Sequence, residues 1–226
     1  FGKLFYLIIM EKAYQNISYF FGAFLLLIFV AFYKTYFGLF PDFVGTHALI
    51  HIHVLTVLIW FALLIIQPIL IVRKQVDWHR RLGKFTYGFV PVMLLLLIMV
   101  ARTGQLREKD LGIFLVNIND VSLFVVLYVL AIVYRHKPMY HARFMIMTAV
   151  PFLSPALGRL PQIPLPPGTP YLLIIAGFLL YERFHRKIYK PYLLALAVFL
   201  VLFLPLLGLF MFGMPVVDKM WMACFT

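Results

Sequence analysis

The chain of 226 residues holds one cysteine, Cys224. A single thiol closes no internal disulfide, and without a Cys cluster there is no thiolate site for structural zinc or an iron–sulfur group. Acidic residues are also scarce: eight Asp and Glu stand against 20 Lys and Arg, and all charged residues together make up 12% of the chain. Polar stretches long enough to fold a water-soluble module are missing, so residues 1–226 are expected to form a single transmembrane domain rather than a tethered enzyme. No catalytic signature is present either, and an accessory role is expected ahead of an enzymatic one. Residues 1–12 carry an early Lys but no small-residue cleavage pattern, and are expected to lie as an interfacial segment along the membrane surface.

What the chain has instead is apolar length. Hydrophobic residues are 64% of it, and the mean hydropathy is +0.98. Seven long apolar runs can be drawn, Ile17 to Lys34, Thr46 to Val72, Gly83 to Ala101, Gly112 to Tyr134, His141 to Leu157, Tyr171 to Phe184 and Pro191 to Phe212. Runs of about 20 apolar residues match the hydrocarbon core of a bilayer, and only helices or closed barrels satisfy their backbone there. The runs are continuous rather than alternating, which predicts an all-α, polytopic bundle of about seven transmembrane helices.

The net charge of +12 does not indicate nucleic acid, because the cations fall in the short connections where they act as topology determinants. Of the 20 Lys and Arg, 14 lie on one predicted side, which sets the N-terminus inside and the C-terminus outside. Tyrosines near run ends, among them Tyr19, Tyr36, Tyr140 and Tyr192, read as an interfacial aromatic belt. The Pro-rich segment 161–170 is expected as a stiff outer loop.

The informative residues are the polar ones at membrane depth. His53 stands 20 residues from Arg73, about 30 Å at the helical rise, near the outer boundary. His47 and His51 have the i, i+4 spacing that lets two imidazoles reach one metal ion, and with Asp120 they form a candidate divalent-metal set. Asp120 stands 15 residues from Arg135, about 22 Å, and so lies inside the outer boundary, where a carboxylate needs a partner, a proton or a cavity. Together, His51, His53, Arg102, Asn117, Asn119, Asp120 and Arg159 are expected to form a polar pocket at the outer end of the bundle. At the inner end, His79 with Arg81 and His141 with Arg143 repeat one short pattern. This pattern suits either a bis-histidine haem site or, more readily, anchoring to lipid phosphates.

The HRRLGK stretch at His79 to Lys84 and the HARFMIMTAVPFLSPALGRLP stretch at His141 to Pro161 resemble an uncharacterised family of small bacterial polytopic membrane proteins. The resemblance implies a multi-helix bundle of the bacterial inner membrane and brings no established reaction with it. Three functions are compatible with these residues. The leading one is an accessory or structural subunit of a larger membrane assembly, with lipid and other membrane subunits as partners. The others are a metal- or haem-binding redox protein and a proton-linked small-molecule transporter that uses Asp120 as its titrating group.

Overall fold

The computed structural model describes residues 14–108, 111–160, 168–185 and 189–213. The expected interfacial segment 1–12, most of the Pro-rich segment 161–170 and Cys224 lie outside the described residues. Every regular element among the described residues is helical: α1 (Ile17–Ala31), α2 (Ala48–Val72), α3 (Val76–Glu108), α4 (Leu111–Val133), α5 (Pro138–Met147), α6 (Leu153–Leu157), α7 (Thr169–His185) and α8 (Lys190–Gly208). Four stretches are long and apolar enough to cross a membrane, Ala48–Val72, Val76–Gly104, Leu111–Val133 and Lys190–Met211. α1 is apolar but only 15 residues long.

The chain divides into two compact units. The first comprises the described residues of Phe1–Leu96, His136–Pro138 and Pro155–Ile163, and the second those of Leu97–Arg135, Met139–Ser154 and Pro164–Thr226. In the first unit α1 packs on α2. Its buried residues Ile17, Phe21, Phe24, Ile28 and Ala31 alternate steps of four and three, the spacing that keeps one seam of a helix against a partner. Phe24 stacks on Phe61 with ring centroids 5.5 Å apart, and Ser18 Oγ donates to the Ile65 carbonyl at 3.0 Å.

α2 stops abruptly after Val72. The Gln75 N–H bonds the Leu70 carbonyl at 2.8 Å and the Lys74 N–H bonds the Ile71 carbonyl at 3.0 Å, the paired closure of a Schellman motif. Such a motif needs a left-handed residue, and Lys74 supplies it at φ 60°. α3 then begins at Val76, so the HRRLGK stretch is the opening of a helix rather than a loop, with Asp77 in its first turn where the helix dipole favours an acid.

In the second unit α4, α7 and α8 enclose a core of Leu123, Leu127, Phe144, Val150, Ile175 and Phe199. The expected helix over His141 to Leu157 is not continuous. Pro151 lacks the N–H that the Met147 carbonyl would meet in an unbroken helix, and Pro155 withdraws the same donor from Pro151. The chain accordingly leaves α5 at Met147, passes through a 3₁₀ turn at Val150–Phe152 and re-enters as α6. Lone prolines at 68, 91 and 205 leave their helices running. The broken segment is buried without interruption from Ile146 to Leu153, and Tyr192, expected in the aromatic belt, is fully buried too.

Two backbone positions of opposite character give the first predictions. Lys74 is a side-chain-bearing residue in the left-handed region, so Lys74→Gly should stabilise the fold by about 1 kcal/mol. Gly168 has φ +80° and an added Cβ would meet Phe203 at 2.7 Å, so Gly168→Ala should destabilise it by about 2 kcal/mol or more. Equilibrium unfolding in mixed micelles reads both signs.

Candidate functional site

Among the residues expected at the outer end, the first unit holds His47, His51, His53 and Arg159. His47 is the N-cap residue of α2, exposed and with extended backbone, and its side chain makes no capping bond. His51 is half-buried; its Nδ1 lies 2.8 Å from the Tyr36 hydroxyl, and the Phe43 ring meets it edge-on at 4.9 Å. Burial pushes the Tyr36 hydroxyl above its ordinary pKa, so it stays protonated at neutral pH, and the tautomer of His51 decides which of the two donates. Nδ1 of His53 is buried with no hydrogen-bond partner. Arg159 is exposed, donates from Nη1 to the Pro155 carbonyl at 2.7 Å and lies over the Phe32 ring at 4.3 Å.

The second unit holds Arg102, Asn117, Asn119 and Asp120. Arg102 is exposed, Asn117 and Asn119 are half-buried, and Asp120 is buried. The Tyr171 hydroxyl, from the first turn of α7, donates to Asp120 Oδ1 at 2.6 Å. Ser154 stands beside both groups, and Asp120 Oδ2 is buried without a hydrogen-bond partner. Tyr171 in turn stacks on Phe199 of α8 at 5.2 Å. The 3₁₀ turn at Val150–Phe152 packs on α4 and α7, the two helices that carry the acid and its phenol.

The histidines and arginines expected at the inner end also behave differently from one another. The His79 carbonyl accepts from Gln67 Nε2 at 3.3 Å, and the exposed Arg81 places its guanidinium over Trp78 at 5.3 Å. His141 Nδ1–H donates to the Ala131 carbonyl of α4 at 2.8 Å, which fixes its tautomer. Arg143 is not available to lipid phosphate. Its side chain is 1% exposed; Nε and Nη2 both reach Glu182 Oε1 of α7 at 2.8 Å, and Nη1 donates to the Met139 carbonyl at 2.8 Å. A cation inside apolar surroundings requires an acid, and Glu182, also fully buried, is that acid.

Metal binding gains no support. Among the described residues no group of three His, Cys, Asp or Glu side chains is placed to hold a metal ion, and the His47, His51 and Asp120 set is included in that statement. Tyr171 and Glu182 are the partners that reading by depth misses. Tyr171 opens a helix and looks like belt chemistry, while Glu182 is one acid among Arg183, Arg186 and Lys187, where counting charge hides it.

Comparison with protein-family models, with curated proteins and with solved structures finds no match.

The buried pair makes a definite stability prediction. Arg143→Leu should cost about 3–5 kcal/mol because it leaves Glu182 without its cation, whereas the double change Arg143→Leu with Glu182→Leu should recover most of that loss. A double-mutant cycle by unfolding in mixed micelles checks it.

Proposed function

We propose that the chain is a multi-pass protein of the bacterial cytoplasmic membrane, its N-terminus inside, that carries protons through its second unit in step with a small solute. The four long apolar helices support the membrane setting, and the excess of cations on one predicted side supports the orientation. One observation carries the activity: a buried carboxyl on a candidate span, bonded through one oxygen to a phenol, with its other oxygen unpartnered, beside a broken helix.

Each part of that arrangement suits proton handling. An ionisable group at membrane depth is costly unless it is paired or works. Oδ2 of Asp120 is the atom able to take and release a proton while Tyr171 continues to donate to Oδ1. Irregular backbone inside a membrane is tolerated where protein covers it or where it lines a water-filled path, and discontinuous helices accompany coupling-ion sites in transporters. Reading the chain instead as an accessory subunit draws on outward apolar faces, which lipid covers as readily as protein.

Reconstituted into liposomes with an internal pH dye, the wild-type protein should carry an inward proton flux when the outside is made acidic. Asp120→Asn should reduce that flux at least tenfold, and Tyr171→Phe should reduce it in part. Flux that is unchanged by Asp120→Asn would remove the proton reading and leave the accessory role.

A further inference from the structure

The two polar ties of the second unit are arranged as the two ends of one helix. Tyr171 and Glu182 are both on α7 and stand eleven residues apart, about 16 Å along the axis. Asp120 and Ala131, on α4, are separated by the same interval. At one end Tyr171 joins α7 directly to α4 through Asp120. At the other end the first turns of α5 join both helices, with His141 bonded to the Ala131 carbonyl and Arg143 bonded to Glu182. Between the ties the packing is apolar, with Leu123, Leu127, Phe144, Met147 and Ile175.

The ties differ in kind. The Glu182 end is a fully buried ion pair with three charge-assisted donors on a single guanidinium, and separating it would strand two charges. The Asp120 end is one phenol donating to one carboxyl, with the neutral Ser154 hydroxyl beside both. A hydrogen bond to a carboxylate is roughly twice as strong as one to a neutral acid, so adding a proton to Asp120 weakens this tie and leaves the other untouched. Among the described residues, Tyr171 is the titratable side chain that faces Asp120 from the elements packed on α4: the Val150–Phe152 turn has none, and α8 has only Lys190 and Tyr192, both in its first turn. At the Glu182 end the titratable and charged neighbours are Arg143 and His141, with Tyr192 of α8 stacked on Phe178 of α7. The chain enters α7 through Gly168, whose φ of +80° marks a sharp turn at the weakly tied end.

We propose that α7 is a lever: Tyr171 senses whether Asp120 is protonated, the Arg143–Glu182 pair is the fulcrum, and proton uptake frees the Asp120 end of α7 from α4. The inference rests on the proton reading above and adds the element that moves.

Distances between spin labels in liposomes test it, on a chain carrying Cys224→Ser. One label pair, Ile113→Cys with Leu173→Cys, marks the Asp120 end; the other, Val133→Cys with Leu180→Cys, marks the Glu182 end. All four positions are exposed. Between pH 8.5 and pH 5.5 the first distance should lengthen by about 2 Å while the second stays fixed. Asp120→Asn and Tyr171→Phe should each hold the first distance at its low-pH value at both pH values. The unchanged second distance then reports that those variants are folded. A first distance that ignores pH in the wild type, or a second that moves equally, overturns the lever. Proton flux that still depends on Asp120 in that case preserves the proton reading, and flux independent of Asp120 overturns both.

Discussion

A carboxyl group enclosed by apolar side chains must find its hydrogen-bond donors within the protein, and the second unit is organised by that requirement. Among the described residues it contains two such acids, and they are satisfied differently. Glu182 receives two donors of one guanidinium on Oε1, and the third donor goes to the Met139 carbonyl, so the acid's charge meets a full countercharge. Asp120 receives the Tyr171 phenol on one oxygen, with the Ser154 hydroxyl nearby and no cation among these partners. The first arrangement resists change because either partner alone is costly in low dielectric. The second has room for a change of state, because a neutral acid keeps the bond to Tyr171 and loses its charge. The ion pair and the single phenol bond thus meet the same helix, α7, at Glu182 and Tyr171, eleven residues apart.

The broken segment between α5 and α6 belongs to the same logic. Two prolines four residues apart remove consecutive donors from one helical row, where single prolines elsewhere leave their helices running. Backbone freed in this way cannot face lipid, and its continuous burial from Ile146 to Leu153 is the consequence. The elements that cover it include α4 and α7, which carry Asp120 and Tyr171.

Much of this is legible in the order of the residues alone. Continuous apolar runs identify the helices, and the scarcity of acids singles out Asp120 by its distance from Arg135. Partners are harder to read, because they depend on how helices pack rather than on position along one of them. Tyr171 is 51 residues from Asp120, and Glu182 is 39 from Arg143. Arg143 misleads for the same reason: an Arg near a helix start looks interfacial until a facing acid draws it inward. The break at Pro151 and Pro155 is available in principle, since the spacing of four is visible. An apolar run that continues through both prolines conceals it. His47 and His51 have a metal-like spacing, and the structure places the first at the N-cap position of α2 and the second beside the Tyr36 hydroxyl.

The short first helix has a mechanical meaning of its own. At 1.5 Å per residue its 15 residues extend about 22 Å, well below the roughly 30 Å of a bilayer's hydrocarbon layer. Because its seam is fixed against α2 by Phe24, Phe61 and the Ser18 bond, it cannot lengthen its reach by sliding along its neighbour. A helix of that reach would cross only a locally thinned layer, one with shorter acyl chains around it.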